Sequence, residues 1–397
     1  MITAKQISEY VENHQQEAIE CLQEILRVPS VTENEEPVSF VFEKFMNDIG
    51  LNIQRIEAKP HRPNLIGTWK GEEAGRTFLF NGHMDVFPPD PTDAGIFGPW
   101  SGKVHEGCIY GRGSVDMKGG DAGALVAVAF LKKMGFKPKG SIVLSWMCDE
   151  EYGGRLGVQY LLKNGYLKGD FGLCMEPTHM ALAPKQYGIL RGYISYFGYP
   201  DHTAMIYKGD TCIQKAIKAI NGLYELNDKL EHLPHPSYLP PPHLTIAVFN
   251  SGKAANVYPS EATFWFDRRV LPTETHEEAL NQIKEVLDKI KKENGKEYEY
   301  ELTVTSERPS MDISYEDPFV KIVTTSYKEV LGKEMVVTTV PWGADAAWIH
   351  KINHFPIPNL GPGDNDTQAG RPNERVEIRK YLDCIKVYMM VLVNSLS

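Results

Sequence analysis

The eight residues SIVLSWMC, 141–148, form an unbroken run that leads directly into Asp149, Glu150 and Glu151, then Tyr152 and two glycines. A run of this kind, without polar alternation, suits a strand covered on both faces, as in the middle of an α/β sheet. Three adjacent carboxylates at its end repel one another and lose hydration, so a positive partner is required close by. The chain must bury this strand and also bring a cation to its end.

Three further stretches end the same way: NGHMDVFPP with His83 and Asp85, GRGSVDMKGG with Asp116, and CMEPTH with Glu176. Polar residues at the ends of central strands gather in a crevice at one sheet edge, where α/β folds usually bind ligands. One imidazole and several carboxylates make the mixed nitrogen and oxygen donor set that Zn2+, Co2+ or Mn2+ accepts. Each piece alone is ordinary, since a lone His-x-Asp is usually a surface turn and a lone acidic triplet a solvated face. Four acid-bearing termini, each followed by Gly or Pro, point together to a bound metal as the missing cation. Asp85, two residues past His83, shares its strand face and is expected to orient the ring.

Strand and helix patterns alternate up to about residue 187. Ile7, Val11, Ile19, Leu22, Ile25 and Leu26 predict one helix over 5–26, and a helix from about Asp121 to Met134 closes on Gly135. From residue 188 the order becomes βαββαβ, a split module with its helices on one face of an antiparallel sheet. The α/β rhythm resumes after residue 307 and ends in a helix near 374–395. The expected organisation is one α/β domain, 1–187 and 308–397, interrupted by an inserted domain, 188–307. At 397 residues the chain is too long for a single core.

With 42 basic and 52 acidic residues the formal net charge is -10, and no basic stripe is present to neutralise phosphates. No apolar run is long enough to span a bilayer. Nucleic-acid and membrane partners are therefore not expected. Six scattered cysteines without CxxC spacing, and an N-terminus without a secretory pattern, lead us to expect a reducing cytoplasm.

GHMDVFPP, GRGSVDMKGG, DEEYGG, EP, GYPDHTA, ANVYP, DRRVLP, GADA and GPG...RPNE follow in this order along nearly the whole chain. In this the sequence resembles the M20 family of metal-dependent amidohydrolases, the group of acetylornithine deacetylase, succinyl-diaminopimelate desuccinylase, aminoacylase and carboxypeptidase G. The resemblance implies a zinc-peptidase-like mixed sheet flanked by helices, with a ferredoxin-like inserted domain serving as lid and dimerisation unit. It implies that Asp116 bridges two metals, that His83 and Glu176 complete the first site, and that Glu151 belongs to the second. Glu150 would be the general base. His202 would stabilise the oxyanion from a partner subunit of a homodimer, while Asn256 and Arg269 would contact substrate. The activity implied is hydrolysis of an amide bond in a small N-acyl amino acid or related metabolite by a metal-activated water. Alternatives are a dipeptidase or aminopeptidase, and, in a different class, a noncatalytic metal- or ligand-binding homologue.

One position departs from the pattern. Where the family has a histidine bound to the second metal, this chain has Gly370, which offers no donor. The second site is expected to be weakened, leaving one or two ions. Asp364, Asp366, Gln368, His350 and His354 are candidate substitutes.

Overall fold

The strand Lys139–Met147 lies between Pro63–Lys70, to which it is antiparallel, and Glu73–His83, to which it is parallel. Asn52–Glu57 extends the sheet on one side, and Phe171–Cys174, parallel to Glu73–His83, extends it on the other. This is a five-stranded mixed sheet. Residues 144–148 are buried without a break, so both faces are covered at the end of the central strand, as its continuous pattern requires. Helices Glu36–Asp48 and Ile378–Leu396 supply part of the cover. Phe42 packs at 5.8 Å from Trp146, and Tyr388 at 5.3 Å from Phe80. A third helix, Lys118–Lys133, is buried from Lys118 to Leu131 and packs against the C-terminal one.

The computed structural model describes residues 2–90, 95–237, 239–366 and 368–397. Its contacts divide the chain into two units: Met1–Lys185 with Asp312–Thr339 and Ala344–Ser397, and Gln186–Met311 with Val340–Gly343. In the first unit, the helix expected over 5–26 is two helices, Ala4–Asn13 and Gln15–Leu26. They part at His14, whose φ of -121 leaves the helical region and whose Nδ1 lies 2.8 Å from the Tyr10 carbonyl. Apolar spacing carries through such a break, because both pieces bury the same stripe.

The second unit runs Gly188–Phe197, helix Cys212–Leu230, Leu244–Ser251, Glu261–Val270, helix His276–Asn294 and Tyr300–Arg308. Its strands form an antiparallel sheet in which Gly188–Phe197 and Glu261–Val270 are central and Leu244–Ser251 and Tyr300–Arg308 are edges. Both helices open with capping boxes, Thr211 with Gln214 and Thr275 with Glu278, which satisfy amide groups the helix itself leaves orphaned. They set Ala216, Ala219, Leu223, Ile283 and Leu287 against Ile194, Tyr196, Phe264 and Phe266 in one core.

All six cysteines carry free thiols. Among the described residues no helix is long and apolar enough to cross a membrane.

Candidate metal centre

Strand register explains how distant residues meet. His83 pairs with Met147 across the parallel ladder, so Glu150 and Glu151 follow three and four residues beyond its neighbour. On the other side Asn81 pairs with Cys174, and Glu176 stands two residues further on. Three parallel strands thus release His83, Glu150, Glu151 and Glu176 at one edge. Asp116 arrives on the loop before helix Lys118–Lys133, next to a cis Asp116–Met117 peptide.

The Nε2 of His83 lies 3.2 Å from Asp116 Oδ1, 3.9 Å from Glu176 Oε1 and 4.0 Å from Glu150 Oε2. His83, Glu150 and Glu176 offer donor atoms within 4.8 Å of one another, and so do His83, Asp116 and Glu151. His83 is common to both groups, whereas the resemblance makes Asp116 the shared residue. One lone pair on Nε2 can hold one ion, while the two oxygens of Asp116 can face two, so bridging suits Asp116 on valence grounds. The ring is fixed by Nδ1, which donates to the main-chain carbonyl of Asp85 at 2.8 Å and leaves Nε2 to accept.

The Asp85 carboxylate faces the His83 ring and also reaches the acidic turn. Its Oδ1 is 3.5 Å from His83 Nδ1, but its hydrogen bonds come from the Glu150 and Glu151 amides, at 3.1 and 3.2 Å, and the Thr32 hydroxyl at 3.0 Å. Asp85 therefore holds the acidic turn to the histidine strand, and its backbone, more than its side chain, orients the ring.

Electrostatics make the centre expensive without a cation. Burial raises Glu151 well above the usual carboxylate range, and Asp116 and Glu150 raise it further. One Glu151 oxygen is buried with no hydrogen-bond partner. Burial likewise pushes Asp85 up to about 6. For His83 burial opposes the charge, but the Asp116 hydrogen bond and the charges of Glu150, Asp85 and Glu176 outweigh it and raise the imidazole well above its ordinary value. One imidazole, four carboxylates and an orphaned buried oxygen fit a divalent ion, which would replace the proton that burial otherwise favours on Glu151.

The first acid of the triplet has a different partner. Asp149, at φ +70, accepts from Arg62 Nη2 at 3.1 Å, and Arg62 also binds Glu35 through two contacts of 2.7 Å. The second Asp149 oxygen accepts the Leu156 amide at 3.1 Å. This buried Glu35, Arg62 and Asp149 group anchors the turn that presents Glu150 and Glu151, so only two of the three acids need the metal. Asp121 also escaped the sequence reading. It is fully buried beneath His83's strand, both its oxygens lack a hydrogen-bond partner, and burial raises it well above its usual value. A Cβ at Gly82 would stand 1.8 Å from Asp121 Oδ1, so only glycine fits there. An acid in the first turn of an otherwise apolar helix was the available signal.

Gly370 has φ +67, and a Cβ built there would reach only Phe87 at 3.7 Å and Arg112 at 3.8 Å. None of the proposed substitutes joins the two metal-binding groups found among the described residues. Asp364 lies 3.7 Å from His179 and caps the Asp366 amide, Gln368 accepts from Arg375, and His350 Nδ1 lies 2.9 Å from the Phe355 carbonyl. Asp366 is exposed, and His354 closes helix Ala346–Asn353 at φ +59.

In the second unit His202 is exposed, forms a bridge with Val257, and accepts the Ala204 amide on Nδ1 at 3.0 Å. Asn256 is next to that bridge, and its carbonyl accepts the Thr203 amide at 3.0 Å. Arg269 is paired with Asp267 at 2.9 Å and donates to the Pro341 carbonyl at 3.1 Å. Its neighbour Arg268 is buried and binds Glu274 at 2.8 Å. Alternation along the strand sends the two neighbours to opposite faces.

A mixed sheet that delivers one histidine and three carboxylates to its edge, with Asp116 added from a loop, is the frame of a metal-dependent hydrolase of amide or peptide bonds. Residues 79–394 match the model for peptidase family M20/M25/M40, and the chain belongs to that family. It is 24% identical over 415 residues to an N-formyl-4-amino-5-aminomethyl-2-methylpyrimidine deformylase of Bacillus subtilis (strain 168), covering 98% of this chain and 96% of the relative. It is 27% identical over 349 residues to a succinyl-diaminopimelate desuccinylase of Paracoccus denitrificans, covering 85% and 88%. A solved di-peptidase of Saccharomyces cerevisiae shares the fold, with a TM-score of 0.82, 15% identity and coverage of 99% and 98%.

Proposed function

We propose that this chain hydrolyses the amide bond of a small N-acyl amino acid or related metabolite. The observation that carries the reading is the buried His83 facing Asp116, Glu150 and Glu176, with Glu151 beside them. The names of the two relatives, a deformylase and a desuccinylase, support acyl removal as the reaction type. His83, Asp116 and Glu176 would hold one ion, and Asp116 with Glu151 a second and weaker one, because Gly370 supplies no ligand. Zn2+ suits this donor set best, with Co2+ or Mn2+ as substitutes. When bound, such an ion supplies Lewis acidity, lowering the pKa of water from about 15.7 to about 7 and polarising a carbonyl.

The protein's own groups do the rest. Glu150, whose amide is tied to Asp85, sits close enough to the centre to take a proton from the attacking water and return it to the leaving nitrogen. His202 of the partner subunit would meet the developing oxyanion. Asn256 and Arg269 would orient substrate, Arg269 exchanging its pairing with Asp267 for a substrate carboxylate. In this reading the protein is a cytoplasmic homodimer formed through the second unit.

The test is Glu150→Gln, assayed against a panel of N-acyl amino acids and dipeptides with metal added. The expected result is a fall in kcat of about 10^2- to 10^4-fold with metal binding retained. A wild-type protein inert across the panel, with metal bound, would support the noncatalytic alternative, and turnover of dipeptides alone would support the peptidase one.

A further inference from the structure

We infer that Glu374 is the positioning residue for Asp116, and that the RPNE segment retains this task although Gly370 has replaced its metal ligand. The inference rests on the reading of Asp116 as a metal ligand. Glu374 is 3% exposed. Its Oε1 accepts the amides of Gly113 and Val115 at 2.9 Å each and of Asp116 at 3.2 Å. Its Oε2 accepts Arg112 Nη1 at 2.9 Å and the Gly370 amide at 3.3 Å, and its main-chain carbonyl accepts Gly111 at 2.9 Å. One carboxylate, 258 residues away in sequence, thus fixes the backbone that aims Asp116.

The loop is built around that anion. Gly113 takes φ +87, and a Cβ there would come within 2.9 Å of Val86 and Lys118, so only glycine lets the chain curl with its amides inward. Converging amides form a nest whose positive edge requires an anion, and Arg112 adds a charged contact. Glu374 belongs to neither metal-binding group, so it acts on the ion only through Asp116. On the other side the same carboxylate pins the Gly370 turn. This accounts for a segment that keeps its glutamate after losing its donor: a mould for the bridging aspartate is needed even where one ion is weakly held.

Glu374→Gln keeps the shape and one acceptor but turns an amide NH2 toward the Arg112 and Gly370 donors. Cobalt binding to the full-length protein, followed by titration calorimetry and visible absorption, is compared for wild type, Glu374→Gln, Asp116→Asn and the double variant. Circular dichroism checks the fold. The expected result is about 10- to 100-fold weaker cobalt binding for Glu374→Gln with an altered visible band, and a double variant no worse than Asp116→Asn alone. If Glu374→Gln fails to fold, Glu374→Asp, which keeps the charge on a shorter stem, is judged by the same comparison. A folded variant with wild-type affinity and spectrum, or losses that add in the double variant, would overturn the inference. A wild type that takes up no cobalt would overturn the metal reading beneath it, a result distinct from a variant that matches a metal-binding wild type.

Discussion

Arg62 shows how a single residue outside the metal centre can govern it. Its guanidinium neutralises Glu35 and Asp149 where all three side chains are nearly inaccessible to water. Removing one partner of such a group leaves the others buried and uncompensated, a loss of about 3–5 kcal/mol. Arg62→Met is therefore expected to lower unfolding free energy by that amount in urea titration; an unchanged midpoint and slope would count against the anchoring role. The residues that converge on His83 were legible because each stands just past an apolar strand and before Gly or Pro. Arg62, Glu35, Asp121 and Glu374 were not. Arg62 lies 87 residues from Asp149, in a stretch that reads as an ordinary polar turn, and a buried ion pair leaves no local periodicity to detect. Within the acidic triplet, the first member pairs with an arginine, and only the other two belong to the candidate metal-binding groups.

Between elements, the packing of the first helix on the last carries a charge pairing that pH can test. Lys386, buried on Ile378–Leu396, donates to Glu12 Oε1 at 2.6 Å and to Asp383 at 3.2 Å. That hydrogen bond, with help from Arg379, holds Glu12 below its usual carboxylate range against a modest cost of burial. A depressed carboxylate stabilises the fold above its unfolded pKa, and the benefit disappears as pH falls through the folded value. Wild type is expected to exceed Glu12→Gln in stability near neutral pH, with the gap closing in acid; a gap independent of pH would refute the pairing. Element boundaries were less legible than element types. The break at His14 interrupts no apolar stripe, and helix Lys118–Lys133 begins earlier than Asp121 because its opening glycines, poor helix formers by propensity, are held there by close packing against Ser114 and Met175.

At the scale of the whole molecule, the βαββαβ order announces a module that can fold around its own core, whereas the five-stranded sheet of the first unit is made entirely of strands that precede it. That Val340–Gly343 groups with the second unit could not be read from rhythm, since four residues carry no period. The exposed edge strand Leu244–Ser251 carries Val248 at 45% and Phe249 at 41% exposure, and an apolar edge is a template for pairing with another chain. The proposed homodimer would share this edge. Val248→Lys is expected to shift the sedimentation profile from dimer toward monomer, and a variant that remains as dimeric as wild type would place the interface elsewhere.

Scattered strand-end residues are proposed to surround a divalent ion. Anomalous diffraction at the zinc edge from crystals grown with Zn2+ measures this directly. A peak is expected about 2.0–2.1 Å from His83 Nε2, shared with Asp116 and Glu176, with a weaker second peak beside Glu151. Absence of a peak at His83, with Asp116 and Glu176 turned away from it, would rule out the metal centre.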